Sequence, residues 1–213
     1  MKKLPLRLLS LFFGLSLFAL GVVITIKANI GYSPWDVFHA GLALTVGISI
    51  GTAAIITGAA LVIIVTAAGE KIGIGTVANI LVIGLLIDLI LFLDFIPTGS
   101  NMIYGIIMLL TGLFIISIGS YFYIKSGFGA GPRDNLMVVL KKKTRLPIGV
   151  CRSLVELTAT LIGWLLGGMV GIGTVIAAIA IGFFIQMTFA MFRFKASEVK
   201  HETISQTFKA FRK

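Results

Sequence analysis

Arg152 and Glu156 stand one helical turn apart inside an apolar run, and Asp88 stands alone inside another. A charge at the centre of a membrane span costs about 2.5 to 3.5 kcal/mol on insertion scales, so such residues must pair or face water. Arg152 and Glu156 can neutralise each other on one helix face. Asp88 has no such neighbour. Two chemistries are open to this set. Arg152, with Arg133, would receive an anionic group through bidentate hydrogen bonds. Asp88 or Glu156 would serve as a protonatable coupling site, because a low-dielectric setting favours the neutral carboxyl. The plain alternatives are an intrahelical ion pair near the cytoplasmic end for Arg152 and Glu156, and a hydrogen bond to a neighbouring helix or a place near the outer interface for Asp88.

The other candidates come from two short runs. GYSPWD at 31–36 supplies Gly31, Ser33, Pro34 and Asp36, and GAGPRD at 129–134 supplies Gly129, Gly131, Pro132, Arg133 and Asp134. Gly31, Pro34 and Asp36 each lie 98 positions before Gly129, Pro132 and Asp134. The same offset joins Gly14 to Gly112, Gly21 to Gly119, Lys27 to Lys125, Gly51 to Gly149 and Gly84 to Gly182, and it repeats Gly-Ile-Gly-Thr-Val at 73–77 and 171–175. Random pairing at this composition would give roughly eight identities in about eighty positions, against roughly twenty found. The chain is an internal duplication.

The elements that must position these residues are apolar spans. The 213 residues are 58% hydrophobic and only 12% charged, too much apolar surface to hide inside one soluble globule. That composition reads as a polytopic membrane protein. Spans of about 20 residues are expected at 8–26, 50–68, 74–93, 102–124, 148–166 and 172–192. They form one transmembrane domain over 1–192, with repeats at about 8–93 and 102–192, and a basic tail over 193–213. The start has the basic and apolar regions of a secretory signal, but its glycines have partners in the second repeat, so it is read as the first span.

The net charge of +10 points to orientation in a bilayer rather than to nucleic acid. A cytoplasmic N-terminus places Lys2, Lys3, Arg7, Lys71, Lys125, Arg133, Lys141, Lys142, Lys143, Arg145 and the tail inside, leaving only Lys27 outside. Both termini are then cytoplasmic. Three spans per repeat is odd, so the second copy enters from the opposite face, and the halves become inverted repeats, a plan found in many secondary transporters.

Between the first and second spans of each repeat the sequence predicts a short helix, at 34–45 and 132–143. Ser33, Pro34 and Asp36 fit Ncap, N1 and N3 of a box-like cap, and Gly131, Pro132 and Asp134 fit the same slots. Twelve residues at 1.5 Å each give about 18 Å, too short to cross. Such a helix is either interfacial, with Trp35 and His39 at headgroup level and Lys141 to Lys143 as anchors, or re-entrant, with its N-terminus buried. Asp36 and Asp134 act as caps in either case; in the re-entrant form the helix N-termini would also make an anion site.

Catalytic sets are missing: His39 and His201 belong to no metal motif or nucleophile triad, and no phosphate-binding loop appears. No enzyme, cofactor or metal site is expected. The single Cys151 reads as a buried structural thiol. Gly73 to Thr76 and Gly171 to Thr174 read as tight turns that let helices approach, with Thr76 and Thr174 free to touch a ligand, and Gly163 with Gly167 as a small-residue packing face. In the tail, Ile204, Phe208 and Phe211 fall on one helical face, with Lys200, Lys209, Arg212 and Lys213 free to meet anionic headgroups; a solvated tail is the alternative.

GAGPRDNLM at 129–137, GYSPWD upstream, and Arg152 to Glu156 followed by GWLLGGMVGIGTV at 163–175 resemble the YczE-like branch of the bacterial YczE/YyaS/YitT integral membrane proteins. The likeness runs from the first span through Phe192. It implies a small bacterial inner-membrane protein with several spans and supplies no substrate, reaction or functional residue.

The expectation is thus an all-α plasma-membrane protein with about six transmembrane helices. Its partners would be the lipid bilayer and a small solute, with a homodimer possible and nucleic acid excluded. Two activities fit: a carrier or channel for a small anionic or zwitterionic solute, or a non-transporting partner that docks another protein through Lys141 to Arg145 and the basic tail.

Overall fold

Long apolar runs without an internal helix breaker can satisfy their backbone groups in a lipid environment only as helices. The computed structural model describes residues 4–199 and 201–211, excluding the side chains of Ser197 and 208–211. Lys2, Lys3, Lys200, Arg212 and Lys213, and the side chains of Phe208, Lys209 and Phe211, therefore lie outside the described residues. Among the described residues there is no strand. The helices are α1 (Leu4–Lys27), α2 (Pro34–Val46), α3 (Ile50–Ala67), α4 (Ile74–Leu93), α5 (Met102–Ser126), α6 (Pro132–Thr144), α7 (Ile148–Leu165), α8 (Ile172–Met191) and α9 (Ile204–Phe211). Six of them, α1, α3, α4, α5, α7 and α8, are long and apolar enough to cross a membrane.

Local chemistry sets the boundaries. The Asn101 side chain accepts from the Tyr104 N–H at 2.9 Å to start α5. Left-handed glycines, Gly47 (φ 75°) and Gly127 (φ 75°), end α2 and α5, because glycine takes that conformation without a Cβ penalty. The repeated Gly-Ile-Gly-Thr-Val is a cap. Thr76 and Thr174 accept from the N-cap amides of Gly73 (3.3 Å) and Gly171 (3.1 Å), and Thr76 donates onward to the Ala130 carbonyl at 2.7 Å. Both threonines are buried in these contacts rather than free for a ligand.

α1 and α5 form the centre. A Cβ on Gly14 would stand 2.7 Å from the Gly119 carbonyl, and one on Gly21 would stand 2.7 Å from the Gly112 carbonyl, so the two helices run antiparallel at close approach. Moving Gly14 forward and Gly119 back by the repeat offset converts the first contact into the second. The same exchange relates other contacts. The Gly75 N–H donates to Phe128 O and the Gly173 N–H to Ile30 O, both at 2.8 Å; Gly129 abuts Gly73 and Thr76 as Gly31 abuts Gly171 and Thr174. α2 packs on α7 of the other half, and α6 on α3.

Two small corrections follow. α7 ends at Leu165, and Gly167 lies beyond it with φ 91°. The expected small-residue face therefore reduces to Gly163, whose missing Cβ admits the α2 backbone at Phe38. The C-terminal segment also docks on the helices. Glu202 pairs with Arg7, its N–H donates to Gly127 O at 2.8 Å, and the Ile204 N–H donates to Ile72 O at 3.2 Å. Thr207 is fully buried.

Candidate functional site

The short helices α2 and α6 present their N-terminal turns to a common cavity of about 330 Å³. Trp35, Asp36, His39 and Ala40 are buried, whereas Leu44 and Val46 at the far end are 69% and 59% exposed. A helix lying on the membrane surface would show one face along its whole length; α2 instead hides its start and exposes its end. His39 is 1% exposed, packed inside the protein rather than open on its surface.

Ser33, Pro34 and Asp36 line the cavity from the first half, and Gly131, Pro132, Arg133 and Asp134 line it from the second, joined by Arg152 and Glu156. The helix starts fall where the sequence puts them, but Ser33 makes no side-chain cap. Its hydroxyl instead donates to Asp36 Oδ2. Asp36 Oδ1 lies 3.6 Å from His39 Nδ1, and His39 Nε2 lies 3.4 Å from Arg133 Nη2. The Arg133 guanidinium stacks over Trp35 at 4.6 Å, a favourable cation–π placement. A polar chain thus runs from Ser33 in one repeat to Arg133 in the other.

Arg152 Nε donates to Glu156 Oε1 at 2.9 Å, one turn along α7. Asp134 is exposed and lines the cavity. Its Oδ2 lies against Gly131, in space a side chain there would need. Tyr123, 4% exposed, brings to the same wall a hydroxyl without a hydrogen-bond partner among the described residues. Apolar residues such as Leu113, Ile116 and Ile181 complete the lining.

Three sequence candidates lie elsewhere. Gly31 (φ 112°) and Gly129 (φ 128°) sit behind the cavity, where their conformation and missing Cβ let the chain abut Gly171 and Gly73. Asp88 is a correction of a different kind. It accepts from the Gly51 N–H at 2.7 Å and from the Ser49 hydroxyl, binding the end of α4 to the N-terminus of α3. A carboxylate there satisfies orphan amides and the helix dipole together, so the neighbouring-helix alternative is the one observed. His39 and Tyr123 were missed. Asp36 and His39 share a helix face at i, i+3, a readable signal; nothing local marks Tyr123.

His201, on the docked tail, lies within reach of the Asp134 charge. Burial lowers its pKa from the ordinary 6.5, with the Asp134 charge pulling it back up.

Six helices long and apolar enough to cross a membrane, around a cavity with charged side chains in its wall, define a multi-pass helical membrane protein. Residues 5–189 match a family described as a family of unknown function (DUF6198), and the chain belongs to it. It is 37% identical to an uncharacterized membrane protein, YczE, of Bacillus subtilis (strain 168), over 88% of this chain and 87% of that one. It is 34% identical to an uncharacterized protein of Haemophilus influenzae, over 83% and 80%. A third relative, the uncharacterized protein YyaS of Bacillus subtilis (strain 168), is 26% identical over 76% and 82%. These matches agree with the YczE-like resemblance. No solved structure matches the chain.

Proposed function

We propose that the protein is a carrier for a small anionic or zwitterionic solute, with the cavity between α2 and α6 as its site. The observation that carries this reading is a set of charged side chains, from both repeats, converging on one cavity among the apolar helices of a membrane protein. Charge in such a setting is costly and typically marks a solute pathway. The exchange-related contacts support two inverted repeats about an axis in the membrane plane. Solute sites in such folds lie at the repeat interface, at the ends of helices that do not span. The buried starts of α2 and α6 support the re-entrant placement, and the asymmetry of basic residues supports a plasma-membrane protein with cytoplasmic termini.

Alternating access requires the cavity to open on one face at a time. α3 and α4 are tightly packed beside the cavity. A Cβ on Gly51 would lie 2.0 Å from Gly84 O. Their counterparts Gly149 and Gly182 on α7 and α8 have nothing within 4 Å, and the cavity reaches between those two helices. In this reading the second pair closes over bound solute while the first opens. A docking role for Lys141 to Arg145 is less favoured, because Lys142 is engaged by Glu70 of the same chain. Purified protein in liposomes should accumulate labelled anions or zwitterions. Absence of any such flux, proton-linked or not, overturns the reading.

A further inference from the structure

The charges lining the cavity differ in whether they are already spent. Arg152 and Glu156 neutralise each other at 2.9 Å. Asp36 is 4% exposed and takes the Ser33 hydroxyl. Arg133 and Asp134 are different. Among the described residues, no carboxylate oxygen lies within 4.0 Å of Arg133 nitrogen, and no basic nitrogen lies within 4.0 Å of the Asp134 carboxylate. These neighbours, one of each sign, line one cavity together with the unpartnered Tyr123 hydroxyl.

A purely anionic solute would answer Arg133 and be repelled by Asp134; a purely cationic one would do the reverse. The smallest ligand that answers both carries a carboxylate and an ammonium on one body. The tyrosine hydroxyl supplies one further donor or acceptor beside them, and Leu113, Ile116 and Ile181 offer an apolar wall to whatever side group the ligand bears.

We propose that this cavity recognises a zwitterion of the α-amino acid type with a small apolar side group, Arg133 taking the carboxylate and Asp134 the ammonium. The proposal rests on the cavity being the solute site of the preceding section and narrows its ligand class.

The test is equilibrium binding by the purified full-length protein in detergent, read as thermal-shift titrations with three probes of one carbon skeleton: L-leucine, 4-methylpentanoate and 3-methylbutylamine. The expected result is that leucine binds at least roughly tenfold more tightly than either singly charged probe. Arg133→Gln should erase the preference for leucine over the amine, and Asp134→Asn the preference over the acid. Acid or amine binding as tightly as leucine overturns the assignment, as does binding of none of the three by folded protein. The wild-type comparison decides this even if a variant fails to fold. Leucine that binds but does not cross vesicles leaves the zwitterion site standing and sinks the carrier. Flux of another solute without leucine binding does the opposite.

Discussion

The α3–α4 pair and the α7–α8 pair stand at equivalent positions of the 98-residue sequence repeat and carry the same glycines, yet one pair is shut and the other apart. Gly51 and Gly84 meet backbone to backbone, while Gly149 and Gly182 face open space. The substitutions around them account for the difference. Gly58, where a Cβ would stand 2.8 Å from Ile80, is Glu156 in the second half, and Ala54 is Arg152. A charged pair thus occupies the positions that small residues hold in the first half. The clasp is also missing. Ser49, Thr52 and Asp88 become Pro147, Val150 and Gln186, which leaves no hydroxyl and no carboxylate to tie α7 to α8. Glycine permits close approach; it does not cause it.

That contrast can be broken most forcefully at its tightest point. Gly84→Leu must displace Ile55 and the Gly51 carbonyl, which lie 2.4 and 2.7 Å from a Cβ. Overpacking of this kind costs roughly 1 to 3 kcal/mol, read as a lowered midpoint of thermal unfolding followed by tryptophan emission. The equivalent Gly182→Leu meets nothing and should leave the midpoint unchanged or raise it, since leucine is the better helix former. A matching loss at both positions would show that the halves are packed alike.

Gly182→Leu sharpens the contrast from the functional side. If α7 and α8 must close during a transport cycle, a side chain that the open state tolerates should slow flux by roughly tenfold, equivalent to about 1.4 kcal/mol against closure. Full flux from a folded Gly182→Leu protein in liposomes would mean that this pair never closes. A smaller effect is expected at the clasp. Asp88→Asn keeps one acceptor but loses the charge, and should cost about 1 kcal/mol of unfolding free energy. The reciprocal Gln186→Glu should gain nothing, because Pro147 and Val150 lack the hydroxyls that Ser49 and Thr52 give Asp88, and α7 and α8 stand apart.

The weakest effect concerns the docked tail, present over one repeat only. The pKa of His201 is lowered from 6.5 when docked, so the undocked tail binds the proton more readily. The contribution of His201 to docking is therefore fully present above pH 6.5 and declines as pH falls through the lowered value. Protease cutting between 195 and 205 should rise on mild acidification and lose that dependence in His201→Gln. Cutting that is flat with pH in the wild type would remove the histidine from the account.

Much of the architecture was legible because membrane helices are written in long apolar runs, and duplication writes each one twice. Span boundaries moved by only a few residues, and the helix starts at Pro34 and Pro132 followed from proline's fixed φ and missing N–H. The site was legible only in part. Arg133, Arg152 and Glu156 stood out as charges in apolar surroundings, and they share the cavity. Asp88 stood out for the same reason and serves as a clasp, since one-dimensional position says that a charge needs a partner without saying which helix supplies it. The placement of His39 stayed open between an interfacial and a buried helix, because its burial comes from α2 packing on a distant part of the chain.

The amino-acid sequence alone determined the six apolar helices, the duplication and the short helix starts, because hydropathy, local backbone chemistry and repeat offset are all properties of neighbours along the chain. Only the tertiary structure decided that one helix pair is clasped and the other parted, that His39 and Tyr123 reach the cavity, and that Asp88 does not. Those outcomes depend on atoms far apart in the chain meeting within hydrogen-bond or van der Waals distance.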